Sequence, residues 1–279
     1  MVAEPRTSSF LFTDIEGSTK LWERDPEAMK AALAAHDEIL RRAIGQGGGR
    51  VFKTVGDAFL AVFDAPADAV SAAVGGQRAL TGHPWSSLGP LRVRMAVHTG
   101  PAEERDGDFL GPTLNRAARI VAVAHGGQLL LSGAAAAAIG ERLPDGLTLR
   151  DLGAHRLRDL QRPEHLFQIV GPGLPDGFPP LRSLDALPNN LPRQLTSFIG
   201  REREIDELAR LVRQSVLVSI VGAGGAGKSR LALQVAAELL EEFADGVWLV
   251  ELAPLADPER VAHAVAAALG VREEPGRAV

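Results

Sequence analysis

The sequence contains no cysteine, which excludes disulfide bonds and metal sites built on thiolate ligands. It also has no uninterrupted apolar run approaching the ~18 residues of a membrane span. The opening residues Met1–Ser9 are polar and charged, without the apolar core of a secretory signal. The net charge of −5 argues against a broad basic surface for nucleic acid or anionic lipid. We therefore expect a cytoplasmic protein that binds no membrane and, through this segment, no nucleic acid.

Proline and glycine are concentrated in one stretch of the chain. Gly171–Pro192 contains six prolines and three glycines in 22 residues, a composition typical of a stiff, extended linker. The 279 residues, of which 46% are hydrophobic, are enough for two domains with a buried core. We therefore predict a first domain over residues 1–170, a linker over 171–192 and a C-terminal segment over 193–279.

The apolar pattern of the first domain predicts strands and helices in a βαββαβ order. Strands are expected at Ser8–Thr13, Arg50–Thr54, Ala58–Phe63, Leu91–Thr99, Gln128–Ser132, Leu147–Leu152 and His165–Val170. Helices are expected at Glu16–Arg24, Pro26–Ile44 and Pro66–Leu80. This order is typical of an α+β fold in which helices pack on one face of an antiparallel sheet.

Two aspartates each follow a short apolar strand. Asp14 comes after Ser8–Phe12, and Asp57 comes after Arg50–Lys53. Two carboxylates brought together at strand ends could hold a pair of divalent cations over a nucleotide triphosphate. Each also has an ordinary explanation, because Asp14 could cap a helix and Asp57 could stabilise a turn beside Gly56.

A predicted helix at Pro112–Ala124 carries Asn115 and Arg119 four residues apart, so both side chains point from one face. A solvated polar pair is the ordinary explanation. An amide and a guanidinium on one face could also hold a ribose and a phosphoryl oxygen.

These motifs resemble those of class III nucleotidyl cyclase domains, over about residues 8–170. The resemblance is carried by FTDIEGST at Phe12–Thr19, KTVGDAF at Lys53–Phe59 and DFLGPTLNRAAR at Asp108–Arg119. It implies a ferredoxin-like α+β domain in which the 3′-hydroxyl of a nucleotide attacks its own α-phosphate and expels pyrophosphate.

The resemblance also implies the role of each motif residue. Asp14 and Asp57 match the family's metal ligands, with the carbonyl of Ile15 as a further ligand, for two divalent cations (Mg²⁺ or Mn²⁺) per site. Asn115 and Arg119 match its transition-state contacts. The family's active site lies at the interface of a dimer, so we expect a homodimer in which one chain supplies the metal ligands and its partner the Asn/Arg pair.

Lys53 and Asp108 match the family's base-reading pair. Adenine presents an acceptor at N1 and a donor at the exocyclic N6, which a lysine and an aspartate complement, whereas guanine reverses both groups. A mismatched buried polar group costs ~1–3 kcal/mol, so the pair favours ATP. The ordinary explanations are an exposed strand lysine and a turn aspartate. The family often adds a basic contact to the triphosphate, for which the spacing does not choose between Arg156 and Arg158.

A second nucleotide motif lies in the C-terminal segment. GAGGAGKS at Gly222–Ser229 fits the P-loop pattern between a predicted buried strand, Gln214–Val221, and a predicted helix, Arg230–Phe243. Lys228 would reach the β- and γ-phosphates, and Ser229 would bind Mg²⁺. Backbone N–H groups of the loop, which includes Gly222, Gly225 and Gly227, would cradle the phosphates.

The stretch Leu195–Glu204 resembles the entry segment of signal-transduction ATPases of the NB-ARC/AAA-like type. A second predicted strand at Val247–Leu252 and a helix at Pro258–Leu269 follow the P-loop, but no later strand ends in an acidic residue of the Walker B kind. ATP hydrolysis there is therefore not expected. We interpret this segment as a partial α/β P-loop NTPase, and the chain as part of a longer regulator.

Two hypotheses for function follow from these motifs. The first is an adenylate cyclase within a signalling protein, acting as a homodimer on ATP. The second is a non-catalytic cyclase-like module that dimerises and regulates an ATP-binding transcriptional regulator. All six motif positions carry the residue types that the chemistry requires, which favours the first hypothesis.

Overall fold

The chain forms two compact units. In the computed structural model, the first unit is Met1–Leu157 with Pro163–Arg182, and the second is Arg158–Arg162 with Ser183–Val279. The residues that the structure describes are 6–85, 88–184, 188–192, 200–243, 245–255 and 257–271.

The described residues of the first unit form eight strands and five α-helices. In chain order they are β1 (Arg6–Ile15), α1 (Ser18–Arg24), α2 (Pro26–Gln46), β2 (Arg50–Val55), β3 (Ala58–Phe63), α3 (Pro66–Gly82), β4 (Val93–Arg105), β5 (Asp108–Leu110), α4 (Pro112–Val123), β6 (Leu129–Ser132), α5 (Gly133–Ile139), β7 (Thr148–His155) and β8 (Glu164–Val170). Every element that the sequence predicted in this unit is present, with its bounds moved by a few residues. The structure adds β5 and α5, which are too short to give a clear periodic signal.

The strands form one sheet in the order β2-β3-β1-β4-β6-β8-β7, and β5 pairs with β4. All pairs are antiparallel except β4 and β6, which are parallel. The expectation of a purely antiparallel sheet was therefore wrong at this pair. The reason is α4, which lies between the two strands in sequence and returns the chain to the same end of the sheet.

Helices cover both faces of the sheet. Successive residues of a strand point to opposite faces, and Phe10, Leu11 and Phe12 of β1 are all buried. Leu11 belongs to the core beneath α2 and α3, whereas Phe10 and Phe12 lie outside that core. Strand β1 also contacts α4. The expectation of helices on one face was therefore wrong, because the crossover helix α4 takes the opposite face.

The first part of the expected linker packs on the first unit. We call residues 171–182 the strap. Arg78 Nε donates to the carbonyl oxygen of Pro172 at 2.9 Å, and Arg150 Nη1 donates to the carbonyl oxygen of Asp176. Leu181 is only 3% exposed. Burial of Leu181 and hydrogen bonds from Arg78 and Arg150 hold this segment against the unit, so residues 171–182 are not a free spacer.

The residues of the second unit that the structure describes contain three α-helices and a small apolar core. The helices are α6 (Glu202–Gln214), α7 (Lys228–Glu238) and α8 (Arg260–Ala268). The residues Ile205, Ala209, Leu231, Val235 and Leu239 pack together between α6 and α7. In neither unit do the described ranges contain a helix with the length and apolar character needed to cross a membrane.

The predicted strands of this unit are not formed as strands. Residues 216–221 have no strand pairing, Val216 and Leu217 are exposed, and residues 247–252 contribute a single bridge from Val247 to Asn189. A buried parallel strand needs hydrogen-bonded neighbours, and the described residues of the unit supply only that bridge. The structure therefore does not show the sheet of a P-loop NTPase.

A buried histidine joins two central strands of the first unit. His98 on β4 is 3% exposed, and its Nδ1 lies 2.7 Å from Ser132 Oγ at the end of β6. Burial, with a smaller contribution from the charge of Arg116, lowers the pKa of His98 from 6.5 to about 4. The folded protein therefore keeps this ring neutral under conditions in which an unfolded chain protonates it.

We predict that the first unit loses stability as pH falls from 6.5 to 4, because the unfolded chain binds a proton at His98 that the folded chain does not. The loss from this residue approaches ~3 kcal/mol, at about 1.4 kcal/mol per pKa unit. Urea unfolding at a series of pH values measures it. His98→Gln should flatten the dependence and His83→Gln should not. Equal slopes in wild type and His98→Gln would contradict the assignment.

Candidate active site

The first predicted site residue, Asp14, is held by an arginine on the neighbouring strand. Asp14 is the penultimate residue of β1 and lies opposite Arg94 of β4 in the strand register. Arg94 Nη2 donates to Asp14 Oδ2, and Arg94 Nη1 donates to the carbonyl oxygen of Ala122 at 3.3 Å. One guanidinium therefore connects the end of β1 to the last turn of α4.

Asp57 reaches the same end of the sheet from the turn between β2 and β3. Its Oδ2 accepts from the backbone N–H of Ile15 at 3.0 Å. Nearby, the N–H of Phe59 donates to Thr13 Oγ1 at 3.1 Å, and the side chain of Ile15 is buried. The structure thus brings the β2–β3 turn and the Asp14–Gly17 segment together. We call residues 14–17 the metal loop.

The residues at this point fit a divalent cation by their chemistry. Asp14 and Asp57 provide carboxylate oxygens and Ile15 a backbone carbonyl, and Mg²⁺ is usually held by one or two carboxylates together with substrate phosphates. In the described part of the chain, no group of three or more His, Cys, Asp or Glu side chains is placed to hold a metal ion. The remaining ligands would therefore have to come from the nucleotide and from water.

The base-reading candidates contact one another directly. Lys53 Nζ donates to Asp108 Oδ2 at 2.6 Å, and the N–H of Phe109 donates to Asp108 Oδ1 at 2.8 Å. The hydrogen bond from Lys53, followed by that from Phe109, lowers the pKa of Asp108 below its usual value. A charged donor and an ionised acceptor therefore stand side by side, about half and one third exposed.

Aromatic packing positions this pair. Phe52 precedes Lys53 on β2, Phe109 follows Asp108 on β5, and the two rings meet edge to face with centroids 5.0 Å apart. Phe10 of β1 contacts Phe109 in the same way at 5.3 Å. Such pairs contribute ~0.5–1.5 kcal/mol beyond the burial of their surface. The rings therefore fix β5 against the β2 edge, which explains why two residues 55 positions apart can pair.

Helix α4 carries the other two candidates. It begins after Gly111, whose φ of +125° favours glycine. Ala117 and Ile120 are fully buried and anchor the helix, while Asn115 is exposed and Arg119 is half-buried. The last turn of α4, rather than its Asn115 end, meets the metal loop through Arg94.

An ion pair with a buried carboxylate also connects α4 to β8. Arg116 Nη1 lies 3.3 Å from Glu164 Oε2, and the Glu164 side chain is 8% exposed. Burial raises the pKa of Glu164, and the charge of Arg116 opposes that effect. Removing Arg116 would leave the buried Glu164 carboxylate without its cation, so this pair helps to fix the helix that bears Asn115 and Arg119.

The sequence reasoning missed Arg94. Its position opposite Asp14 follows from the β1–β4 register, which residue patterns alone do not fix. Of the two basic candidates left open for the triphosphate, Arg156 directly follows β7 in the first unit, whereas Arg158 belongs to the second.

The glycine-rich loop of the second unit has a defined backbone. The φ angles are +154°, +76° and +80° at Gly222, Gly225 and Gly227, values that L-residues rarely adopt. Lys228, the first residue of α7, donates from Nζ to the carbonyl oxygens of Gly222 and Ala223 at 2.9 and 2.8 Å. The lysine therefore folds back over the loop that leads into its helix.

Comparison with known families gives one domain match. The model of the adenylate and guanylate cyclase catalytic domain matches residues 3–159, which include all the site candidates of the first unit. The P-loop motif lies outside this match.

Individual relatives agree with the family match. An uncharacterized protein of Mycobacterium tuberculosis is 42% identical over 202 residues, covering 71% of this chain and 68% of that protein. An adenylate cyclase of Neurospora crassa is 33% identical over 217 residues, covering 58% of this chain and only 9% of that protein. A solved structure of an adenylate cyclase from Trypanosoma brucei, in its monomeric state, superposes with a TM-score of 0.59 at 29% identity, covering 65% of this chain and 96% of that one.

Proposed function

Because the chain belongs to the adenylate and guanylate cyclase catalytic domain family, we propose that its first unit is an adenylate cyclase that converts ATP to 3′,5′-cyclic AMP and pyrophosphate. The observation that carries this proposal is the Lys53–Asp108 pair, 2.6 Å apart. It supplies a donor and an acceptor at neighbouring points, as the N1 and N6 edge of adenine requires. The pair can exchange its mutual bond for bonds to the base at little cost, because both side chains are partly exposed.

The metal loop and the β2–β3 turn would hold the reacting end of the nucleotide. Asp14, Asp57 and the Ile15 carbonyl are the residues that would bind two divalent cations, Mg²⁺ or Mn²⁺. When bound, these ions supply activation of the 3′-hydroxyl and neutralisation of the triphosphate charge. The chain's own part is to fix the carboxylates, which Arg94 does at Asp14 and the Ile15 N–H does at Asp57.

Helix α4 would supply the groups that act on the transition state. The Asn115 amide would orient the ribose by hydrogen bonds, and the Arg119 guanidinium would donate to the α-phosphate oxygens on which charge develops. Such preorganised donors act only if the helix is rigid. The buried residues Ala117 and Ile120, and the Arg116–Glu164 pair, provide that rigidity.

The site is shared between two chains in this proposal. The metal loop of one chain would face Asn115 and Arg119 of a second copy across a twofold axis, which gives two equivalent sites in a homodimer. The alternative, a non-catalytic dimerising module, would tolerate loss of site residues, and this chain retains all six.

We further propose that the glycine-rich loop of the second unit binds the phosphates of a nucleotide. The supporting observation is the loop backbone, with three glycines at positive φ before a helix that begins at Lys228. Backbone N–H groups at a helix N-terminus and an adjacent ammonium group attract phosphate. Ser229 follows as the candidate Mg²⁺ ligand.

We predict that ATP is cyclised with at least tenfold higher kcat/KM than GTP, because a mismatched base edge costs ~1–3 kcal/mol. Lys53→Met should lower kcat/KM for ATP about tenfold and change kcat/KM for GTP little. Lys30→Met, at an exposed position on α2, is the matched control. Equal turnover of the two nucleotides by the wild-type chain would show that the base-reading assignment is wrong.

We predict that two inactive variants complement each other. Asp14→Ala and Arg119→Ala should each be nearly inactive, because each lesion affects both sites of a homodimer. An equimolar mixture should recover about a quarter of wild-type activity, because half of the dimers are mixed and each mixed dimer has one intact site.

The control for this experiment is a mixture of Asp14→Ala with Asp57→Ala. Both lesions then lie in the metal-binding half, so every site is damaged and no recovery is expected. If Asp14→Ala and Arg119→Ala fail to complement after subunit exchange has been confirmed, the site is not shared between chains.

We predict that Lys228→Ala weakens ATP binding by the second unit at least tenfold, because the ammonium group that faces the phosphates is lost. Cyclase turnover should stay within twofold of wild type, since the two motifs lie in separate units. Binding of a fluorescent ATP analogue to a chain that also carries Asp57→Ala isolates the second site. Unchanged binding there would refute the P-loop assignment.

A further inference from the structure

The strap ends at the metal loop. Its last residue, Arg182, donates from Nη2 to Oε1 of Glu16, which follows the candidate ligand Ile15. The backbone N–H of Arg182 donates to the carbonyl oxygen of Val123 at 3.1 Å. Val123 is the last residue of α4. One residue therefore contacts both the metal loop and the end of the helix that bears Arg119.

The strap holds Arg182 in place. Leu181, the residue before it, is buried. The carbonyl oxygen of Pro180 lies 2.9 Å from His125 Nε2, and the His125 ring stacks on Phe178 with centroids 6.2 Å apart. Arg182 is one third exposed, so its ion pair is more shielded from solvent than a surface pair. These contacts place the guanidinium at a defined point.

Contacts with Arg92 and Gly126 also hold Glu16 in place. Its backbone N–H donates to the carbonyl oxygen of Arg92 at 2.9 Å. A Cβ at Gly126 would lie 2.4 Å from Arg92 Cβ and 2.6 Å from Glu16 Oε2, so glycine allows this segment to approach both side chains closely. The carboxylate is therefore held against the segment that follows α4 and turned toward Arg182.

The last turn of α4 offers carbonyl oxygens that can accept hydrogen bonds. The last carbonyl groups of a helix have no intrahelical partner and carry the negative end of the helix dipole. The guanidinium of Arg94 donates to the carbonyl oxygen of Ala122, and the backbone N–H of Arg182 donates to that of Val123. The same two arginines contact Asp14 and Glu16. Two arginines thus connect the metal loop to the last turn of α4.

We propose that Arg182 is a positioning residue for the cyclase reaction, holding the metal loop against the last turn of α4. The proposal rests on the proposed function of the first unit. In a shared-site dimer, the metal loop and α4 of one chain serve different sites. Arg182 would therefore fix the metal-binding half of one site relative to the α4 half of the second site, from a segment that leads directly into the second unit.

The test compares two arginine variants of the strap region in the full chain. Arg182→Met removes the contact with Glu16 and keeps the length of the side chain. Arg150→Met is the matched control, because Arg150 holds the strap through Asp176 without touching the metal loop. Glu16→Gln and the double variant Glu16→Gln/Arg182→Met complete a cycle. Cyclase kinetics and amide hydrogen exchange of residues 16–21 and 119–125 are the two readouts.

We expect Arg182→Met to lower kcat about tenfold while KM for ATP stays within twofold, because Lys53 and Asp108 are untouched. The double variant Glu16→Gln/Arg182→Met should have a kcat no lower than that of the less active single variant. Exchange should be several-fold faster in both segments for Arg182→Met and unchanged there for Arg150→Met. Retention of most activity by Arg182→Lys would support the role of the charge.

Three results separate the alternatives. If Arg182→Met behaves as Arg150→Met in both readouts, the positioning role is refuted. If exchange accelerates but kcat per folded molecule is unchanged, Arg182 has a structural role only and the proposal is equally refuted. If the wild-type chain makes no cyclic nucleotide, the proposed function fails by itself, and the exchange measurement alone decides whether Arg182 joins the two segments.

Discussion

The antiparallel pairing of β1 with β4 is the constraint on which the candidate site depends. Its ten paired positions put Asp14 opposite Arg94 and end at Ile15. The N–H of Ile15 then donates a hydrogen bond to the carboxylate of Asp57 in the β2–β3 turn. A shift of one residue would turn Asp14 toward the other face of the sheet and bury a charge in the core. The apolar residues of β1 on both faces make that shift costly, so core packing fixes the position of the metal loop.

Four ion pairs position the candidate site residues in addition to core packing. Lys53–Asp108, Arg94–Asp14, Arg116–Glu164 and Arg182–Glu16 each join an element that carries a candidate site residue to a neighbouring element. Individually, partly exposed pairs contribute little to stability. Their effect here is geometric, because each fixes the direction of a loop or helix that packing alone leaves adjustable. Electrostatic catalysis depends on such fixed donors and acceptors.

Sequence patterns predicted the longer elements of the first unit, because these have a clear apolar period, but not the short β5 and α5. The family resemblance predicted that Lys53 and Asp108 share one site, and their direct hydrogen bond is a finding of the structure. Arg94 and Arg182 could not be predicted, since their partners lie 80 and 166 residues away and depend on strand register and on docking of the strap. The strands expected around the P-loop were wrong, because β propensity at residues 214–221 does not provide the neighbouring strands that a parallel sheet requires.

The most direct test of the account is identification of the product. The purified chain is incubated with ATP and Mn²⁺, and the mixture is resolved by chromatography and phosphorus NMR. The account predicts 3′,5′-cyclic AMP and pyrophosphate in equal amounts, with none formed by an Asp57→Ala chain. ATP left unchanged, or converted only to ADP and phosphate, would contradict it.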